Sequence, residues 1–379
     1  MKIVADENIP FVQEAFGTLG EVVLMPGREI GPEQVREADL LLVRSVTPVT
    51  EALLEGSRVQ FVGSATIGLD HVDEAYLQAR GIVLAYAPGS NANSVAEYVV
   101  TALVALGRVR YAGRTLGIIG LGRIGNLVRE KAAAMGMKVL INDPPLARAG
   151  RAGLVSLDDM LAQSDVVTCH VPLIREGPDT TLHLLDASRL ARLRPHAIVI
   201  NTARGAVVDN AALRHCLEEK RLGGAVLDVW EREPRPDPAL IRAVTLGTPH
   251  IAGYSWNGKV AGTKMLYDAA CFFFKRHFKW APPAPPGEAG RRPVVLEAGR
   301  PLDEVLGELL PGFYDIRRDD AALRAIAELP ASEQGGAFDR LRASYPARVE
   351  FRHAAVVMPG GRSKVPGALR GIGFTVSLR

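Results

Sequence analysis

The sequence predicts an α/β protein with two doubly wound parallel sheets, followed by a smaller α+β domain. Short apolar runs alternate with helical segments from the N-terminus onward, and a second series of the same kind begins at a glycine-rich turn near residue 120. A segment rich in proline and glycine, residues 281–293, then precedes a mixed C-terminal stretch. Continuous short apolar runs are typical of strands that a parallel sheet buries on both faces.

The first series consists of apolar runs separated by helical segments. The predicted strands are residues 3–6, 22–25, 40–45, 59–64 and 82–87. The predicted helices are residues 10–19, 31–39 and 73–81. The last of them ends on Gly81, and glycine is typical of helix C-termini. Right-handed crossovers would make this unit doubly wound.

The second series follows a helix predicted over residues 93–108, whose small and apolar residues indicate a largely buried position. The predicted strands of the series are residues 115–122, 138–143, 166–172, 197–204 and 224–230. Its predicted helices are residues 126–136, 156–164 and 210–219. A further helix, predicted over residues 258–278, is expected to pack back onto the first series.

The C-terminal stretch mixes both kinds of element. Its predicted strands are residues 294–298, 348–353, 354–358 and 373–377, and its predicted helices are residues 301–310, 321–329 and 338–344. We therefore predict four parts: a substrate-binding domain (1–92 with 251–280), a dinucleotide-binding domain (93–250), a linker (281–293) and a C-terminal domain (294–379).

Composition excludes several classes of protein. The net charge of the 379 residues is small, 45 − 42 = +3, and the basic residues are dispersed, so no nucleic-acid partner is expected. The three cysteines lie far apart, which indicates neither a disulfide framework nor a zinc site, and no metal is expected. The N-terminus lacks the apolar core of a signal peptide, and no apolar run approaches the roughly 20 residues that span a bilayer. We expect a cytoplasmic protein with no membrane partner.

The glycine-rich turn has the spacing Gly120-x-Gly122-x-x-Gly125 and connects an apolar run to a helical segment. The first glycine would allow a tight turn, the second a close approach to a pyrophosphate, and the third close packing of helix and strand. Arg123 and Ile124 complete the turn at the helix N-terminus, which faces negative charge. Taken alone, the motif is also compatible with an ordinary glycine turn.

Asp143 ends the next predicted strand and raises the specificity of the motif. An acid at this place can accept hydrogen bonds from ribose hydroxyls and would repel a 2′-phosphate, which favours NAD over NADP. The alternative is a turn residue before Pro144 and Pro145. We predict NAD as the cofactor.

Three polar motifs follow successive strands and carry Arg204, Glu233 and His250. Each has an ordinary interpretation as a surface arginine, a solvated acid or a packed histidine. Together they supply the groups for hydride transfer. A histidine can take a hydroxyl proton near neutral pH, and a carboxylate on its other ring nitrogen would fix its tautomer. A guanidinium can bind a substrate carboxylate and polarise the forming carbonyl. We predict these three as catalytic residues.

The motifs of residues 1–280 resemble those of the D-isomer-specific 2-hydroxyacid dehydrogenase family. The resemblance implies a flavodoxin-like substrate domain and a Rossmann NAD domain. It also implies that Arg204 binds substrate, that Glu233 orients His250, and that His250 is the acid/base. Asp228 would hold the nicotinamide carboxamide. The cofactor-binding residues implied besides the glycine-rich turn and Asp143 are His170, Val171, Pro172, Thr202, Ala203, Arg204, Asp228, His250 and Gly253.

Residues 43–47 and 63–73 resemble the substrate-side loops of that family. The second loop departs from the usual glycine-rich form at Ser64 and Thr66, which indicates a more polar substrate. Within the family, the opening MKIVADENIPF, the VRSVT run and the YDIRRDD segment resemble the erythronate-4-phosphate dehydrogenase branch. This implies oxidation of 4-phospho-D-erythronate at carbon 2, in pyridoxal phosphate synthesis, by a homodimer formed through the C-terminal domain.

A phosphorylated substrate requires cationic and hydroxyl donors. The candidates, besides Arg204, are Arg44, Ser45, Thr66 and Tyr254. We further hypothesise that an arginine of the partner's C-terminal domain completes the phosphate site. The candidates for that role are Arg317, Arg318 and Arg348.

Two alternatives stay open. One is a dehydrogenase for another 2-hydroxy acid such as 3-phosphoglycerate, against which the C-terminal stretch with its YDIRRDD segment argues. The other is an NAD-sensing binding protein resembling the transcriptional corepressors of this fold. The chain lacks the disordered partner-recruiting tail expected of such a protein.

Overall fold

The computed structural model describes residues 1–107, 111–286, 293–297, 299–360 and 363–379. Some predicted elements extend beyond these ranges. Arg108 of the predicted long helix, residues 287–292 of the predicted linker and residue 298 of a predicted strand lie outside the described residues.

The described strands form three parallel sheets. Their bounds are β1 (Lys2–Asp6), β2 (Glu21–Met25), β3 (Leu40–Val43), β4 (Phe61–Ser64), β5 (Val83–Tyr86), β6 (Thr115–Ile119), β7 (Lys138–Asn142), β8 (Val166–Cys169), β9 (Ile198–Asn201), β10 (Gly224–Leu227), β11 (Leu246–Gly247), β12 (Val294–Val295), β13 (Ala355–Met358) and β14 (Thr375–Leu378).

The helices connect the strands. Their bounds are α1 (Val12–Phe16), α2 (Pro32–Val35), α3 (Glu51–Leu54), α4 (Glu74–Ala79), α5 (Ala92–Ala105), α6 (Arg123–Ala134), α7 (Pro144–Arg148), α8 (Leu157–Gln163), α9 (Ala187–Leu190), α10 (Asn210–Glu218), α11 (Pro238–Ala243), α12 (Trp256–Phe273), α13 (Leu302–Leu309), α14 (Ile316–Ala327), α15 (Ala331–Ala343) and α16 (Val365–Ile372). No helix among the described residues combines the length and the apolar character needed to cross a membrane.

The chain divides into two compact units. The first comprises Met1–Asn91 and Tyr254–Pro286, and its sheet has the strand order β2-β1-β3-β4-β5. Side chains alternate across this sheet: Ile3 packs in the apolar cluster that contains residues of α12, whereas Val4 packs in the cluster on Leu41. The predicted packing of a late helix onto the first series is confirmed, because Leu266 of α12 is fully buried in the first of these clusters.

The second unit comprises Ala92–Gly253 and Gly287–Arg379. Its larger sheet has the strand order β11-β10-β9-β8-β6-β7. The chain passes from β6 to β7 on one side and then returns to β8 on the other, so the order reverses between β6 and β8. Ligands of open parallel sheets bind at such a reversal, beyond the carboxyl ends of the strands. The predicted fold class, two doubly wound parallel sheets with a small additional sheet, is confirmed.

The C-terminal stretch packs within this same unit. Its three strands form a sheet in the order β12-β13-β14, and its helices α14 and α15 contribute Leu323 and Phe338 to the apolar core of the larger sheet. Both side chains are fully buried. The assignment of residues 294–379 to a separate domain stays a prediction.

The prediction of a strand over residues 348–353 is wrong. Residues 351–353 form a 3-10 turn instead. The backbone N–H of Phe351 donates to the Glu97 carboxylate at 3.0 Å, and the Ser94 hydroxyl donates to Glu350, also at 3.0 Å. Distant polar groups on α5 therefore take the place of a neighbouring strand.

Candidate active site

The glycine-rich turn lies between β6 and α6, and each glycine has a different reason to lack a side chain. Gly120 has a φ of +91°, and a Cβ there would come within 2.6 Å of the His170 carbonyl. A Cβ on Gly125 would lie 2.0 Å from the Gly120 carbonyl, so α6 packs directly on the turn. A Cβ on Gly122, the N-cap of α6, would meet nothing within 4 Å. The open space at Gly122 is where a pyrophosphate could approach the helix N-terminus.

Asp143 follows β7 and is only partly buried. Its Oδ2 accepts a hydrogen bond from the Leu121 N–H of the glycine-rich turn at 2.8 Å, and its Oδ1 caps α7 through the Leu146 N–H at 3.0 Å. The structure therefore places this carboxylate against the turn. Each oxygen keeps a second lone pair that could accept a ribose hydroxyl.

The residues that follow β8 and β9 meet across the sheet. The imidazole of His170 is buried, with Nε2 3.0 Å from the Thr168 hydroxyl and Nδ1 3.4 Å from the Thr202 hydroxyl. Burial lowers the pKa of His170 to about 3, so this ring is neutral. Val171 is partly buried and Pro172 is exposed.

The loop after β9 is held by Asn201. Its side-chain oxygen accepts from the Ala203 N–H at 3.0 Å, and its amide group donates to the Arg204 carbonyl at 2.9 Å. Ala203 is buried, and Arg204 is partly buried, with Nη1 donating to the Ala203 carbonyl at 2.8 Å. The Asn201 amide therefore fixes the backbone that carries Arg204.

Asp228, directly after β10, organises the next loop. Its buried carboxylate accepts from the Thr248 hydroxyl at 2.6 Å, the Ile251 N–H at 2.7 Å and the Ala252 N–H at 2.9 Å. Burial raises the pKa of Asp228, although nearby His250 and these donors act to lower it. The Asp228 side chain therefore binds the loop both at Thr248 and at Ala252, four residues later.

His250 and Glu233 come together on adjacent loops. The imidazole Nδ1 lies 2.7 Å from Glu233 Oε2, and Glu233 Oε1 accepts from the Trp230 N–H at 3.0 Å. Burial acts to raise the pKa of Glu233, but the charge and hydrogen bond of His250, with Arg342 and the Trp230 N–H, outweigh it and lower that pKa. Glu233 is therefore an ionised carboxylate that is hydrogen-bonded to Nδ1 of His250.

The backbone of His250 is unusual. Its φ of +58° lies in the left-handed region, which costs a non-glycine residue about 1–3 kcal/mol. The His250 N–H donates to the Asp228 carbonyl at 2.7 Å and holds this conformation. Gly253, the last predicted cofactor residue of this loop, is partly buried.

The remaining predicted substrate residues belong to the first unit. Arg44 Nε pairs with the buried Asp6 carboxylate at 3.1 Å, and Ser45 is exposed. The Thr66 hydroxyl donates to the Gly68 carbonyl at 2.8 Å.

Tyr254 begins the segment that returns to the first unit. Its ring lies 4.4 Å from the ammonium group of Lys259. A cation at that distance from a ring face is an attractive contact, so Lys259 gives this region a positive charge that the sequence pattern did not single out.

Arg348, one of the candidates for a phosphate ligand donated to a partner subunit, has contacts within its own chain. Its Nη2 donates to the Ala252 carbonyl of its own chain at 2.6 Å, and its guanidinium lies 4.1 Å from the centre of the Tyr314 ring. The group is already engaged within the chain. Arg317 is exposed and donates to the Ala105 carbonyl at 2.6 Å, and Arg318 is exposed. For all three arginines, the hypothesis stays a prediction.

Sequence reasoning missed the residues that hold the loops of the site in place. Thr248 connects Asp228 with the buried hydroxyl of Tyr98, 2.7 Å away, and the Trp230 indole N–H donates to the Thr248 carbonyl at 3.0 Å. Thr248 could have been noticed, because it precedes the Pro-His pair. No local signal points to Tyr98, which lies 150 residues earlier in the chain.

Among the described residues, one group of side chains has an arrangement that could hold a metal ion. The possible ligand atoms of His183, Asp209 and Glu231 lie within 4.8 Å of one another. These side chains already have partners within the chain, since His183 Nε2 contacts Glu231 at 2.7 Å and Asp209 caps α10. We assign no metal to them.

Comparisons with known proteins show the family to which the chain is related. Residues 102–252 match the family model described as D-isomer specific 2-hydroxyacid dehydrogenase, NAD binding domain. Residues 293–366 match a model described only as a domain of unknown function. The crystal structure of D-lactate dehydrogenase from Aquifex aeolicus, complexed with NAD and lactic acid, aligns with a TM-score of 0.61 and 27% identity, over 73% of this chain and 96% of that one.

Two curated relatives extend the match along the chain. The erythronate-4-phosphate dehydrogenase of Salinibacter ruber is 51% identical over 94% of each chain. The erythronate-4-phosphate dehydrogenase of Escherichia coli is 44% identical, again over 94% of each chain. The fold and the site define an NAD-dependent dehydrogenase of the D-isomer-specific 2-hydroxyacid class. Within that class, the chain belongs to the erythronate-4-phosphate dehydrogenase family.

Proposed function

We propose that this chain oxidises 4-phospho-D-erythronate at carbon 2 to 2-oxo-3-hydroxy-4-phosphobutanoate, with NAD as the oxidant. The observation that carries the proposal is the His250–Glu233 pair, 2.7 Å apart, in the same unit as the glycine-rich turn. The family membership supports the choice of substrate. With that substrate, the chain would serve pyridoxal phosphate synthesis.

The residues present fit the binding of NAD. Gly122 leaves open space at the N-terminus of α6, and Asp143 lies against the same turn. When bound there, NAD would supply the acceptor for a hydride from carbon 2 of the substrate. The implied contacts of the nicotinamide end are the residues after β8, β9 and β10, namely His170, Val171, Pro172, Thr202, Ala203 and Asp228.

Side chains of the protein would accept the proton that leaves the substrate hydroxyl. Glu233 holds Nδ1 of His250, so Nε2 takes the proton of the carbon 2 hydroxyl as the carbonyl forms. The carboxylate stabilises the resulting imidazolium. The atoms balance: hydroxy acid and NAD⁺ give oxo acid, NADH and one proton, which His250 later releases to solvent.

Arg204 would bind the substrate carboxylate and polarise the forming carbonyl oxygen. The Asn201 amide, which holds the Arg204 backbone at 2.9 Å, supports this role by limiting the loop's freedom. We propose Arg44, Ser45, Thr66 and Tyr254 as further substrate contacts. We also propose a cytoplasmic homodimer formed through the C-terminal stretch.

The first test follows NADH absorbance with purified protein, NAD and 4-phospho-D-erythronate. A parallel reaction contains 2-oxoglutarate, and the oxidised product is assayed directly in both. The comparison substrates are 3-phosphoglycerate and D-lactate, and His250→Ala is the blank. Turnover of the erythronate compound that the blank lacks supports the proposal. Product that forms only with the 2-oxo acid indicates cofactor recycled in place, and turnover of a comparison substrate alone refutes the proposed substrate.

A further inference from the structure

Arg348 enters the dehydrogenase site region from the C-terminal stretch. Its Nη2 donates to the Ala252 carbonyl at 2.6 Å. Its Nη1 is enclosed and has no hydrogen-bond partner among the described residues. A buried guanidinium that is incompletely hydrogen-bonded is a poor source of stability. The position of Arg348 is better explained by the peptide group to which it donates.

The peptide that Arg348 holds belongs to the loop of His250. The Ala252 N–H donates to Asp228 Oδ2 at 2.9 Å, while the Ala252 carbonyl accepts from Arg348. The preceding residue, Ile251, donates its N–H to Asp228 Oδ1 at 2.7 Å. The loop two residues beyond the imidazole is therefore held from one side by Asp228 and from the other by Arg348.

The guanidinium is itself held in place. It lies 4.1 Å from the centre of the Tyr314 ring, whose hydroxyl donates to Asp319 at 2.9 Å. The Tyr314 ring lies 6.2 Å from that of Tyr98, and the Tyr98 hydroxyl contacts the Thr248 hydroxyl at 2.7 Å. Thr248 donates to Asp228 in turn. The contacts thus form a closed circuit around the loop.

We propose that Arg348 is a positioning residue of the site: through the Ala252 carbonyl it fixes residues 250–252, and with them the imidazole of His250 and the carboxylate of Asp228. This inference rests on the proposed function. It assigns the C-terminal stretch a role in turnover in addition to assembly. A misplacement of about 1 Å far from the chemistry can cost about 100-fold in rate.

The test compares Arg348→Met with Arg324→Met in the full chain. Arg324 is a matched control because it also lies in the C-terminal stretch and donates to backbone carbonyls of the same unit, those of Ile241 and Val244, at 2.9 Å each. It makes no such bond to residues 250–252. The measurements are kcat and KM for 4-phospho-D-erythronate, the NADH dissociation constant by fluorescence, and the thermal midpoint.

We expect Arg348→Met to lower kcat by about 10- to 100-fold and to change KM by less than about threefold. NADH binding should weaken by a few-fold, because Asp228 belongs to the same circuit. Arg324→Met should lower the thermal midpoint but keep kcat within about twofold. Arg348→Lys should recover part of kcat, since its ammonium group can still donate to the Ala252 carbonyl but lacks the planar guanidinium that lies over the Tyr314 ring.

Three results would overturn the proposal. One is full kcat in Arg348→Met, and another is an equal loss of kcat in both methionine variants. The third is a rise of KM at constant kcat, which would make Arg348 a binding residue. If Arg348→Met does not fold, Arg348→Lys carries the comparison. If the wild type turns over no erythronate phosphate, the proposed function fails, and the variants are still separated by NADH binding.

Discussion

Glu233 Oε2 and His250 Nδ1 lie 2.7 Å apart, although seventeen residues separate them in the chain. Both partners are held independently: Glu233 by the Trp230 N–H, and the His250 backbone by the Asp228 carbonyl. The geometry of the pair is therefore set before substrate binds. Preorganised groups of this kind do not need to be reoriented during the reaction.

Replacing His250 with glutamine should abolish most turnover. The amide keeps the approximate size of the ring but cannot accept the proton, so kcat should fall by about 10²- to 10⁴-fold. Steady-state kinetics with a thermal melt would check this, since the melt should stay close to that of the wild type. A variant with normal kcat would show that another residue is the base.

Replacing Glu233 with glutamine should lower the rate of turnover. Glutamine keeps a polar group beside Nδ1 but removes the negative charge that stabilises the imidazolium, so kcat should fall by about 10- to 100-fold. Steady-state kinetics of both proteins would check this, and a thermal melt would show whether the variant folds. An unchanged kcat would mean that Glu233 does not act electrostatically on His250.

The glycines of the dinucleotide turn offer a matched pair of variants. An added methyl at Gly122 has open space, so Gly122→Ala should fold normally but weaken NAD binding by about tenfold, or ~1.4 kcal/mol. The Cβ of Gly125→Ala would lie 2.0 Å from the Gly120 carbonyl, and overpacking of this kind costs about 1–3 kcal/mol of stability. Chemical denaturation and NADH fluorescence separate the two effects. Equal loss of stability in both would contradict this division of roles.

Glu97 should make stability depend on pH. Burial raises the pKa of Glu97 to about 8, although Lys131 acts to lower it, and the ordinary value is 4.5. Between these values the folded chain holds a proton that the unfolded chain has lost. The contribution of Glu97 to the free energy of unfolding should therefore be greatest below pH 4.5 and be lost as the pH rises through 8.

Glu97→Gln should remove that dependence. The side-chain oxygen of glutamine can still accept from the Phe351 N–H, so the variant isolates the charge. Thermal midpoints at pH 5.5, 7 and 8.5 should decline more steeply for the wild type than for the variant. Parallel declines would show that Glu97 does not carry the effect.

Much of the fold was predictable because its signals are local. The order of buried apolar runs predicted both parallel sheets, since strand burial depends on neighbouring residues in the sequence. The glycine spacing predicted the turn before α6, because Gly120 and Gly125 cannot carry a Cβ there. Arg204, Glu233 and His250 were proposed as catalytic residues from their residue types and their positions after strands, and this assignment stays a prediction.

The tertiary structure alone decided how the C-terminal stretch contributes. The pattern of residues 348–353 suggested a strand, yet Ser94 binds Glu350 across a separation of 256 residues, and the backbone there turns. Arg348 was one of three candidates for a contact with a partner subunit, and the structure shows that it donates to the Ala252 carbonyl of its own chain. The sequence by itself determined the helices and strands and the chemical groups of the site, because local sterics and side-chain chemistry depend on neighbouring residues. Which buried polar groups meet depends on long-range packing, because a donor in a low-dielectric interior takes the acceptor that the fold places beside it.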